Sequence, residues 1–158
     1  MTAITVTNES TLSCDTSAIE AMLHHHMGRT NVSSGSELGV LLVDEPQMSQ
    51  LHEEWMGEPG PTDVLSFPMD EMRSGSSAAN PSLGTLGDIV VCLPVADRQA
   101  HERGRSLDEE VQFLITHGYL HLLGHDHADA QEQEAMFALQ DSLLNQWQRH
   151  DGGRRNGE

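Results

Sequence analysis

The sequence of 158 residues contains no lysine. Its 8 basic residues are all arginine, against 25 Asp and Glu, for a formal net charge of -17. So acidic a chain repels nucleic acid at long range, which excludes a broad basic face for gripping RNA or DNA. A local cleft is not excluded, because a metal cation and a few arginines dominate their own neighbourhood. Cysteine is nearly absent: Cys14 and Cys92 are the only two, with no Cys-x-x-Cys pair. A disulfide-stapled scaffold is excluded, and reduced, small, buried side chains in a cytosolic protein are expected. Long apolar runs are missing too. The longest, Leu38 to Val43, has Gly39 inside it and is far too short to span a bilayer. No basic segment leads into an apolar run at the N-terminus, so no signal peptide, no membrane contact and a cytoplasmic location are expected.

The length suggests one domain, able to bury roughly 70% of its unfolded surface without staples. Residues 1–150 are expected to form it, and the polar, glycine-rich stretch 151–158 to be a disordered tail. The pattern reads as four strands. Ala3 to Thr7 alternates with β-branched residues, Leu38 to Val43 is a short buried run, and Val64 to Phe67 ends at Pro68. Leu86 to Leu93 is the fourth. Five helices complete the reading. One is capped by Asp15 or Thr16 and carries Ile19, Met22, Leu23 and Met27; its His24-His25-His26 run points in three directions and is expected to be partly solvated. The next opens at Asp44-Glu45-Pro46, with Met48, Leu51, Trp55 and Met56 as a core stripe. The third begins at Pro94 and breaks at Gly104. The fourth starts at Ser106-Leu-Asp-Glu109, a capping box, and carries Leu107, Val111, Leu114 and Ile115. The last is capped by Asp129 and carries Met136, Leu139, Leu143 and Trp147. Residues 69–83, rich in Ser, Ala, Asn, Gly and Pro, are expected to be a mobile surface loop.

The chemistry concentrates in Thr116-His-Gly-Tyr-Leu-His-Leu-Leu-Gly-His-Asp-His127. His117 and His121 are four apart, on one helix face and about 6 Å apart along the axis. Gly124 can end the helix, so His127 can return a third nitrogen to the same point. Three neutral imidazoles around one open position suit a catalytic zinc. His125 is the competing third ligand; it requires the helix to continue through Gly124. The pattern H-x3-H-x2-G-x2-H has metzincin spacing, except that Gly118 stands where those peptidases place their general-base glutamate. The peptide-hydrolysing base is therefore absent. Asp126 can orient a ligand imidazole or be a solvated turn residue. Asp63 and Asp88 can face a cleft or cap a turn and a strand. No side chain is thereby identified as catalytic beyond the candidates Asp126 and Asp88 and a metal-bound water.

Two separated motifs resemble one family, the YbeY-type rRNA maturation factors. They are Pro61-Thr-Asp-Val-Leu-Ser-Phe-Pro68 and His117-Gly-Tyr-Leu-His-Leu-Leu-Gly-His-Asp-His127, with Gly87-Asp88-Ile89 between them. The likeness covers nearly the whole chain except the loop around Ser74 to Ser82 and the tail. It implies a small α+β metalloprotein with a mixed sheet of about four strands, about five helices and a zincin-like metal-binding helix. It implies one zinc per chain, held by His117, His121 and His127. It further implies a bacterial, cytoplasmic endoribonuclease acting on single-stranded RNA, in small-subunit (16S) rRNA 3′-end maturation and ribosome quality control. Its partners would be rRNA, the small ribosomal subunit and assembly factors, not DNA. One departure stands out: many members carry an arginine where this chain has Met56, which puts phosphate binding at that spot in doubt. Arg73, Arg98, Arg103 or Arg105 can substitute if the fold brings one there. The acidic charge leaves open a ribosome-assembly protein with a mainly structural metal, and the spacing leaves open a zinc peptidase.

Overall fold

The structure, a computed structural model, describes residues 4–30, 32, 36–68, 85–124 and 129–156, with Thr85 and residues 151–156 described for backbone alone. The expected loop at 69–83 and His125, Asp126 and His127 lie outside the described residues. In chain order the elements are β1 (Ile4–Asn8), α1 (Thr16–Arg29), β2 (Glu37–Val43), α2 (Glu45–Met56), β3 (Val64–Pro68), β4 (Thr85–Cys92), α3 (Leu93–Arg103), α4 (Leu107–Leu122) and α5 (Ala130–Asn156). The sheet order is β1-β2-β4-β3. The first three run parallel and β3 lies antiparallel at the edge. The fold is α+β with a mixed sheet, as expected. Parallel neighbours need crossovers, and α1 provides the one between β1 and β2.

Strand alternation sends side chains to two faces. Leu38, Val40 and Leu42 of β2 and Ile89 and Val91 of β4 face one way, into a core closed by α1, α4 and α5. Val90, Cys92 and Leu65 face the other way and pack with Val43 and with Met48 of α2. Cys14 and Cys92 are free thiols, and burial pushes Cys14 up to about 11.

Local signals account for the helix ends. Asp15 accepts from the Ala18 amide at 3.0 Å. The Ser106 hydroxyl accepts from the Glu109 amide at 3.1 Å, while the Glu109 carboxylate accepts from the Ser106 amide at 2.9 Å. That carboxylate is held below its usual range by the Ser106 bonds. Helix α5 continues to Asn156, past the expected start of a tail at Asp151; no proline interrupts it. Among the described residues no helix is long and apolar enough to cross a membrane.

Two readings are corrected. In α1, His26 is fully buried rather than partly solvated. The Thr116 hydroxyl donates to the Gln112 carbonyl, so its oxygen accepts from His26 Nε2–H, at 2.9 Å. Burial, with His25 adding to it, pushes the His26 ring down to about 3. In α2 only Met48 is buried; Trp55 and Met56 are 53% and 50% exposed instead of sharing a core stripe. The last turn of α2 is thus largely solvent-facing, with the Trp55 ring edge-on to Phe67 at 5.7 Å.

Candidate metal and ribonuclease site

Helix α4 crosses β3 and β4 and presents one face to an open cleft of about 640 Å³. Its walls come from Asp63 and the β3 strand after it (Val64 to Ser66 and Pro68), the ends of α2 and α3 (Met56, Arg103), α4 itself (Phe113, Leu114, His117, His121) and Phe137 of α5. Gly124 lines it too, so the chain leaves α4 at the cleft. Its φ of 96° is a left-handed conformation that glycine alone adopts without strain.

The two helical histidines meet as their spacing requires. His117 Nε2 and His121 Nε2 are 3.1 Å apart, and the rings are nearly perpendicular at 77°. Gln140, 1% exposed on α5, places its side-chain oxygen 2.9 Å from His117 Nδ1. An amide oxygen only accepts, so Nδ1 carries the proton and the lone pair of Nε2 points into the cleft. This is the arrangement of a metal-ligating histidine whose other nitrogen is held by a buried acceptor. Two nitrogens bound at 2.0–2.1 Å to one tetrahedral ion would lie about 3.3 Å apart. The observed 3.1 Å fits that geometry with little movement. Among the described residues no group of three or more His, Cys, Asp or Glu side chains is arranged around one point. The third expected ligand, His127, its rival His125 and the candidate Asp126 all lie outside those residues.

Gly118 has a structural reason that spacing alone did not reveal. A Cβ there would come 2.9 Å from Ser66 Oγ and 3.0 Å from Ile89 Cγ2, so α4 touches the sheet at this residue. The Ser66 hydroxyl donates to the Gly118 carbonyl at 3.2 Å, fixing the contact. Any side chain at 118 would require Ser66 and Ile89 to give way.

The carboxylate candidates separate. Asp63 lines the cleft while capping the start of β3, with Oδ1 accepting from the Val64 amide at 2.7 Å. Asp88, a candidate from the sequence, is not brought to the histidines. Its neighbour Ile89 faces α4, so alternation turns Asp88 to the opposite face, where it lines a separate groove with Thr5, Thr7 and Gly39. Of the arginines named from sequence, Arg103 reaches the cleft, Arg98 pairs with Glu45 elsewhere at 2.9 Å, and Arg73 lies outside the described residues. Gln140 and Phe137 were missed. Gln140 interrupts the apolar series Met136, Leu143 and Trp147 on α5, and a lone amide in such a stripe needs a buried partner.

A family model described as Endoribonuclease YbeY matches residues 4–148. An Endoribonuclease YbeY of Thermobifida fusca is 48% identical over 147 residues, covering 93% of this chain and 95% of that protein. One from Beutenbergia cavernae is 50% identical over 139 residues, covering 88% and 93%. The solution structure of a Thermotoga maritima protein superposes with a TM-score of 0.64 at 22% identity, covering 98% of this chain and 95% of that one, a likeness of fold.

Proposed function

Because the chain belongs to the YbeY endoribonuclease family, we propose that it hydrolyses single-stranded RNA with one zinc ion held by His117, His121 and His127. In this reading it works in the cytoplasm, on the 3′ end of small-subunit (16S) rRNA and in ribosome quality control. The observation that carries the chemistry is the pair of Nε2 atoms 3.1 Å apart in an open cleft, one oriented by a buried amide.

When bound, the ion supplies Lewis acidity to a phosphodiester oxygen and to water at neutral pH. The rest is done by the chain's own residues. Gln140 keeps the His117 proton on Nδ1, so Nε2 stays available toward the cleft. Gly118 lets α4 lie against the sheet, which sets the depth of both imidazoles below the rim. Met56 and Phe137 line the cleft with half-exposed apolar surfaces, 50% and 42% exposed. An unpaired base can stack on the Phe137 ring, whereas paired bases are already stacked on one another, which supports a preference for single strands. A peptidase reading is opposed by Gly118, which stands where the general-base glutamate would be and where a Cβ would crowd Ser66 and Ile89.

The test is cleavage of a defined unpaired RNA and of its duplex by zinc-loaded protein, alongside His121→Ala and a chelated sample. Cleavage of the single strand alone, lost in both controls, is expected. Equal cleavage by His121→Ala would remove the enzyme assignment; RNA binding with no cleavage would favour an assembly factor with a structural metal.

A further inference from the structure

We infer that Arg103 is a phosphate-binding residue that holds the RNA backbone beside the histidines, an inference that rests on the ribonuclease reading above. Helix α3 ends at Arg103, and the chain turns through Gly104 to Arg105 before α4 begins. Both arginines converge on Glu110, whose side chain is fully buried. Arg103 Nη1 donates to Glu110 Oε2 at 2.8 Å and Arg105 Nε to Oε1 at 2.7 Å. Both guanidinium groups also sit over the Phe113 ring, their central carbons 5.6 and 4.6 Å from its centroid.

A single carboxylate is neutralised by a single guanidinium. Two on one leave Arg103 sharing its carboxylate with Arg105, in a chain whose formal net charge is -17. The shared guanidinium is at the cleft: Arg103 lines it, and among the described lining residues Arg103 is the only permanent cation. Its side chain is 48% exposed, against 30% for Arg105. A guanidinium has five N–H donors, and Glu110 is the one described residue to which Arg103 is seen to donate. The remaining donors form a rigid fork that matches two oxygens of a phosphate. The other charged wall, Asp63, accepts from the Val64 amide and from Gln99 Nε2 at 3.3 Å, while Arg103 is bonded to Glu110.

Helix geometry gives the position on the strand. Glu110 precedes His117 by seven residues, about 10 Å along the axis. Arg103 therefore reaches a phosphate flanking the one opposite the histidines, and its role is in holding the strand rather than in bond cleavage. Since the whole protein repels RNA at a distance, local donors of this kind must supply the grip.

The experiment measures anisotropy of a fluorescein-labelled unpaired RNA titrated with zinc-loaded full-length protein over a series of salt concentrations, with single-turnover cleavage in parallel. Arg103→Gln, which keeps a donor for Glu110, is expected to weaken binding about tenfold. The slope of log affinity on log salt should fall by about 0.7, one single-strand phosphate contact. The cleavage rate at saturating protein should stay unchanged. Arg103→Lys should restore the slope, and Arg98→Ala, the same loss of charge on the same helix but at the Glu45 pair, should match the parent. Parent-like affinity and slope in Arg103→Gln would overturn the inference alone, as would an equal loss in Arg98→Ala. A parent that neither binds nor cuts the RNA would sink the ribonuclease reading and this inference with it.

Discussion

Gln140 offers the sharpest test of how the histidine pair is held. Its side-chain oxygen accepts from His117 Nδ1 at 2.9 Å while only 1% of the residue is exposed. Replacement by leucine removes the acceptor at similar volume, and it extends the apolar series of Met136, Leu143 and Trp147 on α5. Removing the Gln140 oxygen takes away the acceptor of this half-buried Nδ1–H, a loss of about 1–3 kcal/mol. The ring avoids that cost by moving its proton to Nε2, which withdraws the lone pair from the cleft. Loss of such a supporting partner weakens metal binding by about 10- to 100-fold, or about 1.4–2.7 kcal/mol. Competition against a chromophoric zinc chelator should show this loss in Gln140→Leu, while thermal melting of the metal-free protein is unchanged or raised. Gln140→Glu, which keeps an acceptor and adds charge, should bind zinc at least as tightly as the parent. Parent-like zinc affinity in Gln140→Leu, or equal weakening in both variants, would refute the reasoning.

Other expectations follow from the same contacts. The unfolded chain protonates His26 near the ordinary value of 6.5, whereas the folded chain holds it neutral down to about 3. The unfolded state therefore binds the extra proton between these values, and stability should fall as pH drops through that window, by on the order of 4–5 kcal/mol in all. Denaturant titrations should show a shallower acid loss in His26→Gln; parallel losses in both proteins would contradict this. Gly118→Glu, which rebuilds the peptidase motif, should cost about 3 kcal/mol or more through overpacking against Ser66 and Ile89 and burial of a carboxylate. A urea midpoint equal to the parent's would show that the sheet contact is loose. Ser106→Ala should lose about 1 kcal/mol with the cap of α4, read as a lower melting temperature with zinc affinity intact.

Much of the framework was legible because local chemistry specifies it. Ser106 and Glu109, Asp15, and the proline after Glu45 mark helix starts through bonds made within a few residues. The alternation in β2 and β4 likewise follows from burial of a strand. What stayed hidden depends on contacts between distant segments. His26 continues the series Ile19, Met22, Leu23 and Met27, yet its two histidine neighbours masked that period. Trp55 and Met56 keep helical spacing with Met48, but spacing cannot tell that the last turn of α2 is left half-exposed. Asp88 looked like a cleft residue in a motif read along the chain; strand alternation turns it to the other face. Gly118 read as a missing base, and only the approach of α4 to Ser66 and Ile89 gives the glycine its own reason. Arg103 was one of four arginines the sequence offered for the phosphate, and only the packing of α3 against α4 singles it out.

The central claim is that the imidazoles of α4 ligate a metal in the cleft. X-ray absorption at the zinc edge on the loaded protein tests it most directly. The account predicts a shell of nitrogen and oxygen donors at about 2.0–2.1 Å with imidazole multiple scattering, present in the parent and lost in His117→Ala. Sulfur in the shell, or an unaltered spectrum and zinc content in His117→Ala, would contradict it.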